Sequence, residues 1–145
     1  MPTALARNTP ALLAGAFDPV TIGGTTAACG ASRIGGNLQL QLNARQASLQ
    51  VTNTAVGGNL QAQLNGGALT LSGDTVSGNL SVRNNIGGVT VTGNRVSRNM
   101  EVERNSPATV VTSNQVTGNL QCSSNTGISG SGNTARQKQG QCAAF

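Results

Sequence analysis

A short motif returns at nearly constant intervals along the chain, and this repeat constrains the fold more than any other feature. The motif places a glycine or arginine before an asparagine and an apolar residue, and it occurs as Gly36-Asn37-Leu38, Gly58-Asn59-Leu60, Gly78-Asn79-Leu80, Arg98-Asn99-Met100 and Gly118-Asn119-Leu120. Successive asparagines are 22, 20, 20 and 20 residues apart. Repeats of this length indicate a solenoid, in which each unit packs mainly against its neighbours.

Further columns appear when the repeats are indexed on this asparagine. A second asparagine column, six residues later, reads Asn43, Asn65, Asn85, Asn105 and Asn125. An aliphatic column, three residues earlier, reads Ile34, Val56, Val76, Val96 and Val116. Five residues before the motif asparagine stand Ser32, Thr54, Asp74, Asn94 and Asn114. We interpret the aliphatic column as inward and the last column as a turn.

The segments between the asparagine columns alternate with the period of a β-strand. Leu80 and Val82 alternate with Ser81 and Arg83, and no helical periodicity is present in this region. Strands that return to the same face at every repeat stack in parallel, with a rise of about 4.8 Å per coil. The sequence therefore predicts an all-β fold, a single-domain parallel β-helix (β-solenoid) of about five coils.

Asparagine suits the corners of such coils for two physical reasons. Its backbone tolerates the left-handed conformation of a sharp bend, and its side-chain amide can bond to the amide of the next coil. We therefore predict that both asparagine columns form structural ladders at the corners. The functional alternative for these columns is ligand binding.

Several phrases of the repeat resemble a known group of proteins. Gly57-Gly58-Asn59-Leu60-Gln61, Gly118-Asn119-Leu120-Gln121-Cys122 and Gly140-Gln141-Cys142 are similar to the GGNLQV/GNLQC repeats of secreted bacterial right-handed parallel β-helix proteins. The resemblance covers about residues 22 to 142 and implies a right-handed coil and secretion. It implies no particular activity, since a fold does not fix a function.

The two ends of the chain depart from the repeat. We expect residues 1–24 to form an N-terminal arm or cap, residues 25–138 the solenoid, and residues 139–145 a C-terminal cap. The arm either folds over its own first coil or docks on a neighbouring subunit. The candidate residues for contact between subunits are Leu12, Leu13, Phe17, Cys29 and Phe145.

Three cysteines occur, and the register of the repeat places Cys142 directly over Cys122. Neighbouring strands lie about 5 Å apart, which is within the Cα separation that a disulfide requires, so we predict this bond. Cys29 shares the column of Val51 and lies about four coils from Cys122. It is either a small buried apolar residue or a bridge between subunits.

The composition offers little for catalysis. No histidine occurs, and the four acids are Asp18, Asp74, Glu101 and Glu103. Glu101 and Glu103 lie on one predicted strand and could suggest a glycoside hydrolase or a calcium site. Arg83 lies under Glu103, however, which predicts an ion pair, and sugar sites usually add aromatic platforms. We therefore predict no enzyme activity, no catalytic residue, no metal and no cofactor.

Charge and hydropathy bear on partners and location. The net charge is +5, but the nine basic residues are scattered, so no nucleic-acid partner is predicted. No apolar stretch reaches the length of about 18 residues that a membrane-spanning helix needs. Residues 11–17 are short for a signal peptide and no basic cluster precedes them. The low charge, 9% of residues, suits a secreted, extracellular or cell-surface protein.

Two functions remain after these exclusions. The preferred one is a secreted structural subunit that self-assembles into a fibre or surface layer by head-to-tail stacking, because parallel coils carry strand edges at both ends. The alternative is an adhesin module that binds a carbohydrate or a surface. The outward Thr90 and Thr92 belong to an imperfect Thr-x-Thr array that resembles an ice-binding face, although threonine is simply favoured in strands.

Overall fold

The computed structural model describes residues 33–41 and 48–145 with their side chains, and the backbone of five strands between residues 4 and 30. All regular structure in these parts is β-strand. The strands are β1 (Ala4–Ala6), β2 (Ala11–Leu13), β3 (Ala16–Phe17), β4 (Val20–Gly23), β5 (Ala27–Gly30), β6 (Arg33–Ile34), β7 (Leu38–Gln41), β8 (Leu49–Thr52), β9 (Ala55–Val56), β10 (Leu60–Gln63), β11 (Leu69–Ser72), β12 (Thr75–Val76), β13 (Leu80–Arg83), β14 (Val89–Thr92), β15 (Arg95–Val96), β16 (Met100–Glu103), β17 (Thr109–Thr112), β18 (Gln115–Val116), β19 (Asn119–Ser123), β20 (Ile128–Ser131) and β21 (Gln137–Gly140).

These strands form three parallel sheets around a common interior. Sheet A has the order β1-β4-β7-β10-β13-β16-β19-β21, sheet B the order β2-β5-β8-β11-β14-β17-β20, and sheet C the order β3-β6-β9-β12-β15-β18. Successive strands of the chain join sheets A, B and C in turn, so each coil winds once around the interior. The predicted parallel β-solenoid, with a coil for each of the five sequence repeats, is confirmed.

The interior is a stack of aliphatic columns, because alternate residues of each strand point inward. Leu80 and Val82 of β13 are buried, while Ser81 and Arg83 are partly exposed. The column from Ile34 to Val116 is buried throughout, as its spacing predicted. Small aliphatic side chains therefore fill the narrow interior.

The N-terminal segment contributes strands to all three sheets. Strands β1, β2 and β3 pair in parallel with β4, β5 and β6. The paired residues here are closer in sequence than one repeat, as in the pairs Ala4–Val20 and Val20–Leu38, so these coils do not share the repeat length. The backbone of Leu12, Leu13 and Phe17 thus lies in the solenoid sheets.

The last coils are shorter than the repeat, which corrects the predicted register of the cysteines. The partner of Cys122 in β21 is Gly140, two residues before Cys142, because the coil between β19 and β21 is two residues shorter than the repeat. Cys142 follows the strand, within a turn at residues 141–144. The predicted disulfide partner of Cys122, which is Cys142, was correct, but the predicted strand register of Cys142 over Cys122 was wrong.

Candidate functional site

The second asparagine column forms a buried ladder at the corner between sheets A and B. The backbone N–H and the side-chain Nδ2 of Asn85 both donate to Oδ1 of Asn105, at 3.1 and 2.8 Å, and Nδ2 also donates to the carbonyl of Ala62. The same pattern links the neighbouring asparagines, of which Asn65 and Asn125 are the outer described members. Asn43 lies outside the described residues. The amides of this ladder therefore serve the structure.

A third ladder runs along the corner between sheets B and C, where the sequence predicted only a turn. Nδ2 of Asn94 donates to Oδ1 of Asn114 and to the carbonyl of Leu71, both at 3.0 Å. Asn133 extends the ladder by one coil, since its Oδ1 accepts from Asn114 across a sequence separation of 19. Because this coil is one residue shorter than the repeat, Asn133 does not fall at the spacing of the repeat and the sequence did not predict it.

Asp74 replaces an asparagine in this third ladder. Its Oδ1 accepts the backbone N–H of Thr54 at 2.9 Å, but its buried Oδ2 has no hydrogen-bond partner. In the next coil, Nδ2 of Asn94 donates to the carbonyl of Leu71, and the strand partner of Leu71 one coil earlier is Val51. Because Oδ2 of Asp74 takes the place of that Nδ2, the carbonyl that it could reach is that of Val51. A protonated Oδ2 can donate there as an asparagine does.

Burial also changes the acidity of this carboxyl. It raises the pKa of Asp74 from 3.8 to about 7, although backbone hydrogen bonds at Thr54 and Ser72 oppose the shift. A carboxylate in this position would leave a charged oxygen buried without a partner, which is costly. The corner therefore favours the protonated form of Asp74.

The motif asparagines form a ladder at the surface, and its hydrogen bonds run in the opposite direction. Here the side chain of one coil accepts the backbone N–H of the following coil: Asn37 Oδ1 accepts from Asn59, and Asn59 Oδ1 from Asn79, both at 2.8 Å. Asn79, Asn99 and Asn119 continue the ladder. Both predicted asparagine columns are therefore confirmed as ladders wherever their residues are described.

The residues after β21 lie across the end of the last coil. Cys142 is buried and forms a disulfide with Cys122, with a Cα–Cα distance of 5.2 Å. Gln141 Oε1 accepts from Asn125 at 2.9 and 3.1 Å and so ends the buried ladder. Phe145 packs against the core, next to Gly130 of sheet B. The segment therefore reaches from sheet A to sheet B and covers the apolar interior.

This covering segment also bears on the predicted contacts between subunits. Phe145 is partly buried against its own chain, and Lys138 Nζ donates to the Phe145 carbonyl at 2.7 Å. The Phe145 ring therefore packs against its own chain. Cys29 pairs with Val51 in the backbone register, as predicted. The side chains of Cys29, Leu12, Leu13 and Phe17 lie outside the described residues.

The outer face of sheet A carries the paired glutamates. Arg83 contacts Glu101 directly, and its Nε lies 3.7 Å from Glu103 Oε2. The predicted ion pair with Glu103 is therefore present, and the contact with Glu101 is closer. A glutamate pair held by one arginine across neighbouring strands has the arrangement of a structural ion cluster. Partly exposed pairs of this kind contribute at most about 1 kcal/mol.

The outer face of sheet B carries the hydroxyl columns. Thr90 and Thr92 register with Thr70 and Ser72 below and with Val110 and Thr112 above. Thr112 and Thr92 share a hydrogen bond of 3.0 Å between their hydroxyls. Val110 interrupts one of the two columns, so the array is regular in position but mixed in chemistry.

Comparison with protein-family models, with curated proteins and with solved structures gives no match for this chain. The similarity to the GGNLQV repeats thus remains one of short motifs. Among the residues that the structure describes, no helix could cross a membrane, and no three acids, histidines or cysteines gather as metal ligands.

Proposed function

We propose that the chain is an extracellular binding module, a monomeric β-solenoid that engages a carbohydrate or a surface polymer through its outer faces. The observation that carries this proposal is the covered end of the solenoid. Residues 141–145 lie across the last coil and are held there by the disulfide at Cys142. A module that acts through its faces has no need of an open end.

The covered end favours this function over the fibre that the sequence first suggested. Head-to-tail stacking needs an unpaired strand edge at each end of the subunit. Strands β20 and β21 end their sheets, so an incoming coil would meet residues 141–145, where Gln141 occupies the ladder position beyond Asn125 and Phe145 packs against the core. A covered end is what a terminal repeat requires to keep a solenoid soluble and separate.

Binding also fits the chemistry of the faces better than catalysis does. The chain has no histidine, and its described acids are engaged: Asp74 within a ladder, and Glu101 and Glu103 at Arg83. The outer face of sheet A stacks amides, with Gln39 Nε2 donating to Gln61 Oε1 at 3.3 Å. Amide and hydroxyl rows on a rigid sheet can meet the hydroxyls of a polysaccharide without any conformational change.

The location outside the cell rests on the cysteine pair. Disulfides persist in oxidising compartments and are rare in the cytosol, and Cys122 and Cys142 lie at disulfide distance. A small disulfide-pinned coil with few charges is consistent with a protein exposed at or beyond the cell surface.

The test combines oligomeric state with binding. Sedimentation at high protein concentration should give a monomer, and the protein should co-sediment with at least one insoluble polysaccharide or cell-wall preparation. Polymers in the ultracentrifuge, and loss of those polymers when residues 1–20 are removed, would instead establish the fibre. A monomer that binds no polysaccharide would contradict the proposed function.

A further inference from the structure

Four exposed arginines lie on one side of the solenoid, on sheet C and the turn that follows it. Arg33 and Arg95 occupy one outward column of sheet C, three coils apart. Arg98 lies in the next turn, and the backbone N–H of Arg136 donates to Gly118 just as Gly118 donates to Arg98. Arg98 and Arg136 thus share a column two coils apart, about 10 Å at the rise of a parallel sheet. We call these four residues the arginine row.

Arg98 occupies a position where most coils carry glycine. The other members of this turn column before the last coil are Gly36, Gly58, Gly78 and Gly118. A Cβ at Gly78 would lie 2.7 Å from the carbonyl oxygen of Gly58, and one at Gly118 would lie 2.6 Å from that of Arg98. Both would also collide with the asparagine side chain of the coil below. A side chain at Gly78 or Gly118 would therefore crowd the stacking, whereas Arg136 in the shorter last coil keeps its backbone bond to Gly118 at 2.8 Å.

The hydrogen bonds of the column differ at Arg98. Gly58, Gly78 and Gly118 each donate a backbone hydrogen bond of 2.9 Å to the preceding member of the column. Among the described residues, the equivalent bond from Arg98 to Gly78 is not formed. The ladder bond from Asn99 to Asn79 is 3.1 Å, whereas its counterparts are 2.8 to 2.9 Å. A residue that departs from the residue type of its column without stabilising the fold points to a function.

The charge of the arginine row is not compensated within the described parts of the chain. None of its four members forms an ion pair there, since the two ion pairs among these residues both belong to Arg83 on sheet A. Arg95 is held along the axis by a hydrogen bond of 3.3 Å from its Nε to Gln115, which leaves its outer nitrogens available. The four exposed guanidinium groups therefore give this side a positive potential that attracts anions.

We propose that the arginine row binds an anionic polysaccharide along the solenoid axis, an inference that rests on the binding-module function proposed above. Guanidinium groups present a planar fork of donors that matches carboxylate and sulfate oxygens. A row of them on a rigid sheet fits a polymer whose anionic groups recur at intervals. A single-stranded nucleic acid fits less well, because its bases stack on aromatic side chains and the chain has only two aromatics.

The test uses three variants that each remove one positive charge. Arg98→Gly restores the glycine of the turn column, and Arg95→Thr introduces the residue found one coil below, at Thr75. The matched control is Arg104→Ser, at the corner between sheets A and B, where the next coil carries Ser124 in the same left-handed conformation. Calorimetry measures binding of each protein to dextran sulfate, polygalacturonate, neutral dextran and duplex DNA at one fixed salt concentration.

We expect the parent protein to bind both anionic polysaccharides and not dextran. Arg98→Gly and Arg95→Thr should each weaken binding roughly tenfold, the loss of a charge-assisted hydrogen bond, while Arg104→Ser changes it less than about twofold. The melting temperature of Arg98→Gly should not fall, because glycine fits the column. A weaker affinity without lower stability then assigns Arg98 to binding.

Four other results would overturn the inference. Equal losses in Arg98→Gly and Arg104→Ser would show attraction by net charge alone, without a site. Tighter binding of duplex DNA than of either polysaccharide would assign the row to nucleic acid. If the parent protein binds neutral polysaccharides and Arg98→Gly binds them equally well, the binding-module function is retained and the inference about the arginine row is wrong. Failure to bind any polysaccharide, insoluble ones included, would remove both.

Discussion

Replacing Asp74 by asparagine should stabilise the protein at neutral and alkaline pH. The buried Oδ2 of Asp74 has no partner, and in the folded state burial raises the pKa of this carboxyl from 3.8 to about 7. The folded state therefore holds the proton more tightly than the unfolded chain does. An asparagine at this position would need no proton, since its Nδ2 can donate to the Val51 carbonyl as Asn94 donates to that of Leu71.

The size and the sign of the effect follow from proton linkage. Because the folded state binds the extra proton, the contribution of Asp74 to the free energy of unfolding is highest below pH 4 and falls as the pH rises to about 7. The separation of the two pKa values corresponds to at most about 4 kcal/mol, at about 1.4 kcal/mol per unit. Asp74→Asn should remove this loss, so the variant gains up to about 4 kcal/mol over the parent at pH 8 and little at pH 3.

Urea unfolding of both proteins at pH 3, 5, 7 and 8 measures this difference. The transition is followed by circular dichroism, because the chain has no tryptophan or tyrosine for fluorescence. Subtracting the two profiles cancels the contributions of ionisable groups that both proteins share. As a control, Asn114→Asp in the Asp74→Asn background should bring the pH dependence back in another coil. Parallel profiles for parent and variant would refute the reasoning.

Two further predictions concern single positions. Cys142→Ser should lower the free energy of unfolding by about 3 kcal/mol, the value for a loop of 20 residues, and peptide mapping without reduction should recover Cys122 joined to Cys142. Alkylation of both cysteines would contradict the disulfide. Leu64→Asn should raise stability by about 1 kcal/mol in urea unfolding, because Leu64 is left-handed with φ 58° where the next coil has Asn84 with φ 54°. A loss of stability would mean that the exposed Leu64 side chain makes a stabilising contact.

The repeat allowed much of this fold to be predicted from the sequence. Residues that recur once per repeat in a parallel stack must become neighbours, so the burial of the column from Ile34 to Val116 followed from counting alone. The ladder of Asn65 to Asn125 followed in the same way. Each of these columns holds one residue type or one class, which makes it visible without a structure.

Features that break the period or the residue type could not be found in this way. The third ladder begins with Thr54 and Asp74 before its asparagines, and this mixture obscured a continuous hydrogen-bonded column. The first coils are shorter than the repeat and lack the asparagine motif, so strands β1 to β3 carried no signal. The partner of Cys122 in the last strand was misplaced because two residues are missing from the period there.

Changes in coil length are confined to the connections between strands. Two extra residues lie between β7 and β8, since Gln41 pairs with Gln63 whereas Leu49 pairs with Leu69. Near the other end the coils that lead to β20 and β21 are one and two residues shorter than the repeat, while each of these strands keeps four residues. Insertions and deletions in the connections therefore leave the strand registers intact, and this gives the molecule a modular length.

Because every coil contacts only its neighbours, duplication of a whole repeat would lengthen the rod by about 5 Å and preserve all three ladders. Evolution or an engineer can therefore set the reach of such a protein by the number of repeats. The connection between sheets A and B, which already accepts two additional residues, is the place to insert a foreign loop. Each added repeat would thus add one member to every ladder.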